Sequence, residues 1–167
     1  MYLRELTLHN FRNYNRLELS FTPDMTILVG RNAQGKTNIL ESIVYTCTGR
    51  SHRTSRDREV IRWGEDFSYI RAIVEKNIGK NMIEIGLSTK EKKMVNINGT
   101  AAKRLGERMG NINGVLFSPE DLSLIKGGPS ERRKFLDMEI SQITPRYFYN
   151  LQKYNRVLTQ RNNLLKE

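Results

Sequence analysis

One short segment of this sequence has the residue types and spacing of a phosphate-binding loop. Residues 30–37 read Gly-Arg-Asn-Ala-Gln-Gly-Lys-Thr, which matches the pattern G-x-x-x-x-G-K-[ST]. Glycines permit backbone conformations that a side chain would block, so successive N–H groups can converge on a phosphate. The lysine supplies a cation for the β- and γ-phosphates, and the final hydroxyl is placed to coordinate Mg²⁺. The segment therefore predicts binding of a nucleoside triphosphate with Mg²⁺.

The elements on either side of this loop are those that its chemistry requires. Residues 26–29 form a short apolar run that is typical of a buried strand, and apolar residues then recur at helical spacing over residues 36–47, with Gly49 ending the helix. Thr37 is the predicted Mg²⁺ ligand. The predicted nucleotide-binding residues are Gly30, Arg31, Asn32, Ala33, Gln34, Gly35, Lys36, Thr37 and Asn38.

Hydrolysis needs parts that this loop does not supply. A second acid normally follows an apolar strand and holds Mg²⁺, and another group positions the attacking water. The local candidates are Glu120 and Asp121, but a Ser-Pro pair separates them from the apolar run at 115–117, and that pattern favours a short helix beginning near Ser118. We therefore predict no catalytic residue in this chain. A rival interpretation, a self-sufficient small NTPase or kinase, needs one of these acids for Mg²⁺.

The charge of the chain favours a polyanionic partner. It carries 28 Lys and Arg against 18 Asp and Glu, a formal net charge of +10, which is suited to nucleic acid. Residues 50–62 are rich in arginine and lack periodicity, which predicts an exposed loop, although the interleaved Asp57 and Glu59 are equally consistent with ordinary solvated surface. The candidate DNA-binding residues are Arg50, Arg53, Arg56 and Arg58.

The rest of the pattern predicts an α/β fold: a mixed sheet around the helix that follows the phosphate loop, an antiparallel β meander, and a C-terminal helical stub. Residues 1–144 would form one lobe and residues 145–167 the start of a helical arm. Predicted strands cover residues 2–10, 17–21, 70–74, 83–87, 95–97 and 115–117, and further helices cover 101–109, 130–141 and the segment from 144 onward.

Several classes of protein are disfavoured. The lone Cys47 cannot form an internal disulfide, and with two histidines it cannot build a zinc site. No apolar run approaches the length of a membrane span and the N-terminus has no leader pattern, so we expect a cytoplasmic protein without membrane contact. The two histidines, Cys47 and Trp63 are interpreted as structural.

Five motifs in their order and spacing give the chain a family resemblance. They lie at residues 6–14, 30–38, 51–54, 117–122 and 127–137. Together they resemble the amino-terminal part of the RecF family of bacterial recombinational repair proteins, which is similar to the SMC and ABC-type ATPases. The resemblance implies a P-loop ATPase head that is split along the chain, with a signature loop and a Walker B acid that are both missing here. The chain then corresponds to a lobe that stops where the helical arm begins.

The resemblance also implies a function and further site residues. In that family, ATP and Mg²⁺ clamp two heads into a homodimer that binds single-stranded DNA, gapped duplex or single-strand/double-strand junctions, and hydrolysis is slow. Together with RecR and RecO, the protein helps to load recombinase. Arg12 and Asn13 would approach the nucleotide phosphates, and Arg53 and Thr54 the base or DNA. A third interpretation, in which the lobe is chiefly a DNA- or protein-interaction module and the nucleotide is structural, stays open.

Overall fold

The computed structural model describes residues 1–102 and 110–166, apart from the side chains of Glu120 and Ser123. The strands are β1 (Tyr2–Phe11), β2 (Tyr14–Ser20), β3 (Phe67–Glu75), β4 (Lys80–Ser88), β5 (Met94–Ile97) and β6 (Thr100–Ala101). The α-helices are α1 (Lys36–Thr48), α2 (Ser123–Lys126), α3 (Pro129–Ile143) and α4 (Pro145–Leu164), and 3-10 helices cover Asp57–Val60 and Pro119–Leu122.

The six strands form one sheet in the order β2-β1-β3-β4-β5-β6, and its pairings are all antiparallel within the described residues. Alternating apolar residues place one face of each strand in the core. Leu6 lies opposite Ala72 and Leu8 opposite Ile70, and all four side chains are buried. The predicted meander is confirmed, whereas the parallel pairing that a mixed sheet requires is not seen in this part of the chain.

Helix α1 joins the phosphate loop to the core. It spans Lys36–Thr48, so the predicted helix is confirmed, and Ile39, Tyr45 and Cys47 are buried with the core residues of the sheet. Gly49 closes it in the left-handed conformation at φ +72°, where its N–H donates to the Tyr45 carbonyl at 2.8 Å. The first turn of this helix is thereby fixed relative to β1 and β3.

Two predicted strands are wrong. Residues 26–29 and 115–117 are not β-strands, and most of their side chains face solvent: Val29 is 88% exposed and Phe117 is 91% exposed, whereas Leu28 and Leu116 are half-buried. A strand needs a neighbour for its N–H and C=O groups, and no strand of the described residues pairs with either segment. Both segments are apolar, but in neither of them does this composition produce a buried strand.

The segment after β5 forms a hairpin. Asn98 and Gly99 both have positive φ, at +51° and +78°, the conformation that joins two strands in a tight turn. Ala101 therefore lies in β6 and not at the start of the predicted helix, because the Asn-Gly turn signal outweighs the helical spacing that follows. The rest of that predicted helix, residues 103–109, lies outside the described residues.

The arginine-rich segment is more ordered than its composition suggested. Its arginines at 50, 53, 56 and 58 are exposed, as expected, but Val60 and Ile61 are buried and Asp57–Val60 is a 3-10 helix. The Arg12 N–H donates to the Val60 carbonyl at 2.8 Å, and Ile61 forms a β-bridge with Phe11. The segment is thus fastened to the end of β1.

The helices predicted after residue 117 are confirmed. Helix α4 begins at Pro145 and ends at Leu164, and on it Phe148 is buried while Tyr154 is 63% exposed. The buried amide of Gln142 on α3 binds both the N–H and the C=O of Gly114, at 2.9 and 3.2 Å. The division into lobes at residue 144 stays a prediction. Among the described residues, no helix combines the length and the apolarity needed to cross a membrane.

The fold predicts very different costs for two apolar truncations. Leu8→Ala should lower the free energy of unfolding by about 2–5 kcal/mol, because Leu8 is fully buried in the sheet core. Val29→Ala should change it by less than about 0.5 kcal/mol, because that side chain already faces water. Urea denaturation of both variants tests this, and equal losses would contradict the exposure of residues 26–29.

Candidate phosphate-binding site

The phosphate loop adopts the backbone that its sequence predicts. Three of its residues have positive φ: Gly30 at +156°, Ala33 at +64° and Gly35 at +99°. Residues 32–38 and Arg53 line a cleft of about 480 Å³. Helix α1 begins directly after the loop, so the positive end of its dipole lies at this cleft. The arrangement has the backbone geometry and the helix end that an anion site requires.

The turn between β1 and β2 supports the loop from beneath. The Asn13 amide and the Tyr14 hydroxyl both donate to the Gln34 carbonyl, at 3.4 and 3.3 Å. The Asn38 amide donates to Asn13 Oδ1 at 2.8 Å, which ties the first turn of α1 to the same support. A Cβ on Gly35 would lie 2.6 Å from the Tyr14 hydroxyl, so only glycine fits this approach. Asn13 therefore contacts the loop and the first turn of α1 from the side of the β1–β2 turn.

The predicted cation and hydroxyl lie at the mouth of the loop. The Lys36 ammonium donates to the carbonyls of Gly30 and Arg31, both at 2.6 Å, so it spans the loop opening. Thr37 is an exposed residue on the first turn of α1 and lines the same cleft. The structure thus brings together all of the residues from 32 to 38 that the motif predicts, with Lys36 across their entrance.

A buried acid that sequence reasoning missed lies behind the cleft. Glu41 on α1 is fully buried, and its carboxylate accepts hydrogen bonds from Arg12 Nε at 2.9 Å, Arg12 Nη2 at 2.6 Å and Ser51 Oγ at 2.5 Å. Arg53 Nη1 lies 3.3 Å from the same carboxylate. The available signal was an acid four residues before the buried Tyr45, on the apolar face of a helix.

The surroundings of Glu41 keep it ionised. Burial disfavours its charge, but the hydrogen bonds from Arg12 and Ser51 and the charges of Arg12 and Arg53 outweigh that effect and lower the pKa of the carboxyl. Arg12 also donates to the Glu59 carbonyl at 2.6 Å. Its guanidinium is therefore held between helix α1 and the 3-10 helix, and Arg12 is not among the residues that line the phosphate-loop cleft.

Arg53 and Thr54 take different positions. Arg53 lines the cleft, and its Nη1 donates to Asn38 Oδ1 at 3.0 Å and to Glu41 Oε2 at 3.3 Å. Thr54 donates its hydroxyl to Glu59 Oε2 at 2.5 Å, on the outer side of the loop. The geometry brings Arg53 to the cleft and leaves Thr54 outside the residues that line it.

The candidate DNA-binding arginines do not form one cluster. Arg50 lines a cavity beside α3 and α4, Arg53 lines the phosphate-loop cleft, and Arg58 lines a third groove that also holds Trp63. Arg56 lies 3.8 Å from Glu59 in an exposed ion pair. Trp63 is 98% exposed, so the expectation that it packs structurally is wrong. Their contact with DNA stays a prediction.

The acid near residue 120 serves a local purpose. The carboxylate of Asp121 accepts the Ser118 N–H at 2.6 Å and the Ser118 hydroxyl at 3.1 Å, which is one half of the capping pattern of a helix start. The helix predicted at Ser118 is confirmed by the 3-10 helix Pro119–Leu122 that continues into α2. The Asp121 carboxylate is thus engaged within its own turn. The side chain of Glu120 lies outside the described residues.

Cys47 has the chemistry of a core residue. It is 2% exposed, and burial together with the charge of Glu139 raises the pKa of its thiol to about 12. A thiol that stays protonated at neutral pH is a poor nucleophile and a poor metal ligand. Within the described residues, no group of three or more His, Cys, Asp or Glu side chains is arranged to hold a metal ion.

Comparison with known proteins gives concordant matches. A family model described as an AAA domain matches residues 5–165. A DNA replication and repair protein RecF of Clostridium tetani is 49% identical over 167 residues, which are 100% of this chain and 46% of that protein. A solved structure described as the recombination mediator protein RecF-ATP in the RecFOR pathway is 42% identical with a TM-score of 0.93, and the match covers 99% of this chain and 44% of that one.

A more distant match concerns the fold alone. The crystal structure of an Smc head bound to the C-winged helix domain of ScpA matches with a TM-score of 0.67 and 22% identity, covering 92% of this chain and 55% of that one. The predicted fold class, an α/β lobe of an SMC-like P-loop ATPase head, is confirmed. The chain spans just under half the length of the RecF relatives that it matches.

The positive φ of Gly35 makes this position sensitive to substitution. Gly35→Ala should lower the free energy of unfolding by more than about 1 kcal/mol, because the backbone conformation is strained for alanine and the new Cβ displaces Asn13 and Tyr14. The matched control is Gly30→Ala, whose Cβ would meet no atom within 4 Å and should cost less. Urea titration compares the two, and an equal cost would argue against the supporting contact.

The ionised Glu41 predicts part of the acid sensitivity of the fold. Because folding lowers its pKa, its stabilising contribution is complete above the ordinary glutamate value near 4.3 and is lost as pH falls through the lower folded-state value. Glu41→Gln should therefore cost about 3 kcal/mol at pH 7, since Arg12 loses its partner, and the difference from wild type should shrink progressively as pH falls below the ordinary glutamate value. Urea titrations across pH measure this. Glu84→Gln on β4, where the carboxylate partner is the Tyr69 hydroxyl, is a matched control that should cost less at pH 7.

Proposed function

Since this chain belongs to the AAA domain family and matches RecF proteins over its whole length, we propose that it is the ATP-binding lobe of a RecF-type DNA replication and repair protein. The observation that carries the proposal is the formed phosphate loop, with Lys36 across its entrance, in a fold that matches a RecF-ATP structure at a TM-score of 0.93. The loop supports binding of a phosphate group, and the match to a RecF-ATP structure supports ATP as the nucleotide.

The residues present fit ATP and Mg²⁺. Residues 30–38 would hold the phosphates, with backbone N–H groups and the start of α1 providing partial positive charge. The Lys36 ammonium would exchange its two loop carbonyls for phosphate oxygens, which are stronger acceptors for a cation. The exposed Thr37 hydroxyl would ligate Mg²⁺, and the bound ion would neutralise phosphate charge. Arg53 is the guanidinium that lines the cleft.

The activity of the longer protein is also a proposal. We expect an ATP-dependent homodimer in the cytoplasm that binds single-stranded and gapped DNA and acts with RecR and RecO. The net charge of +10 supports a DNA partner. The exposed apolar side chains at 27, 29, 115 and 117 support a lobe that is completed elsewhere, because apolar surface of this kind is normally covered by a partner.

Turnover by this chain alone should be absent or negligible. The rival, a self-sufficient NTPase, needs an acid for Mg²⁺, and the Asp121 carboxylate is already engaged by Ser118. The described residues that line the cleft, 32–38 and Arg53, include no carboxylate. The interaction-module alternative draws on the same net charge and exposed apolar side chains, and nucleotide-independent binding to gapped DNA would favour it.

The experiment is a titration of a fluorescent ATP analogue with Mg²⁺, with phosphate release followed in the same samples. Wild type should bind, and Lys36→Ala should bind roughly 10- to 100-fold more weakly, because a charge-assisted phosphate contact is lost. Lys92→Ala, an exposed lysine on the turn before β5, should bind like wild type. No sample should release phosphate steadily.

Three results would change this conclusion. Equal binding by wild type and Lys36→Ala would contradict a phosphate-loop site. Steady phosphate release that disappears in Lys36→Ala would favour the self-sufficient NTPase, and its loss in Asp121→Asn would identify the Mg²⁺ acid. Absence of binding in wild type would mean that the isolated lobe does not hold ATP.

A further inference from the structure

The buried carboxylate of Glu41 has no part in the phosphate loop itself, yet it lies one turn beyond Lys36 and Thr37 on the same helix. It is fully buried, and a buried charge is costly unless it is paired and hydrogen-bonded. Two segments distant from it supply its partners: the residue directly after β1, and the loop after α1. An acid that binds residues of several segments can fix the positions of those segments relative to one another.

Arg12 provides the neutralising charge. Its Nε and Nη2 donate to the two oxygens of Glu41 in a side-on fork at 2.9 and 2.6 Å, and its Nη1 donates to the Glu59 carbonyl at 2.6 Å. The side chain is only 21% exposed. A guanidinium with donors directed to three acceptors is fixed in place. Arg12 thus holds the carboxylate of Glu41 in one orientation.

Arg53 is held by the same carboxylate in a looser way. Its Nη1 is shared between Asn38 Oδ1 at 3.0 Å and Glu41 Oε2 at 3.3 Å, and its side chain is 45% exposed in the cleft. Among the described residues, these are its guanidinium's hydrogen bonds, so its other donors are available to a ligand in the cleft that Arg53 lines. Glu41 therefore orients Arg53 without occupying all of the donors of its guanidinium.

Ser51 extends this control to the backbone. Its hydroxyl donates to Glu41 Oε1 at 2.5 Å and accepts the N–H groups of Arg53 at 3.0 Å and of Thr54 at 3.2 Å. Ser51 is itself buried, at 7% exposure. One carboxylate therefore fixes both the guanidinium of Arg53 and the turn of chain that carries it.

We propose that Glu41 is a positioning residue that orients Arg53 toward the triphosphate, with Arg12 as the charge that keeps Glu41 in place. This inference rests on the proposed ATP site. Glu41 does not touch the nucleotide, and its effect on ATP affinity passes through Arg53. Preorganisation of this kind raises affinity because the guanidinium does not have to be ordered when the ligand binds.

A double-mutant cycle separates positioning from a general structural role. The variants of the full chain are Glu41→Gln, Arg53→Gln and the double variant, each titrated with the fluorescent ATP analogue and Mg²⁺. Arg53→Gln should weaken binding about tenfold, since one charge-assisted contact is lost. Glu41→Gln should weaken it about threefold to tenfold in wild type and have no further effect in the Arg53→Gln background.

Two further variants distinguish positioning through Arg53 from a general effect on the fold. Ser51→Ala frees the Arg53 backbone but leaves the Arg12 pair intact, so it should weaken ATP binding in wild type and not in Arg53→Gln. Urea denaturation without nucleotide will show whether Glu41→Gln folds. If it does not, Ser51→Ala alone tests positioning through Arg53. Glu84→Gln, whose carboxylate accepts the Tyr69 hydroxyl on the sheet, should leave ATP binding unchanged.

The outcomes distinguish this inference from the proposed function. If wild type binds and Lys36→Ala does not, the ATP site stands. In that case, equal losses from Glu41→Gln or Ser51→Ala in both backgrounds would overturn positioning through Arg53, and so would unchanged affinity in these variants. If wild type does not bind ATP, the proposed function fails and this inference fails with it. Effects confined to the wild-type background support it.

Discussion

The ion pair between Glu41 and Arg12 is the constraint on which the arrangement of the site depends. A carboxylate with no solvent exposure must be matched by hydrogen bonds and opposite charge, and Arg12 supplies both. Because Arg12 lies at the end of β1 and Glu41 on α1, this requirement fixes the helix against the sheet. The helix in turn presents Lys36 and Thr37 at the cleft, so a buried pair controls the position of an exposed site.

The sheet gives this site a rigid base. Its antiparallel strands bury one apolar face beneath α1, and the turn between β1 and β2 supports the phosphate loop through Asn13 and Tyr14. The segment from residue 50 to 62 is fastened to β1 at Ile61 and to Glu41 through Ser51. This segment has no periodic sequence pattern, but a few specific bonds hold it in place, as in other loops that carry function on a rigid scaffold.

The exposed apolar segments give the lobe an unfinished side. Ile27, Val29, Val115 and Phe117 have strand-like sequence but no strand beside them in the described part, and each is more than 70% exposed. The RecF relatives are more than twice as long as the matched region. Both observations agree with the proposal that the ATPase is assembled from more than this lobe.

The sequence by itself determined the local chemistry and the periodic elements. The motif at residues 30–37, the helix after it and the meander could be predicted because glycine spacing and apolar periodicity act within a few residues. Tertiary structure decided the rest. Glu41 binds Arg12, Ser51 and Arg53, and residues 26–29 and 115–117 form no strand and leave most of their side chains exposed. Both outcomes depend on which segments meet in space, and the linear pattern did not show which distant segments those are.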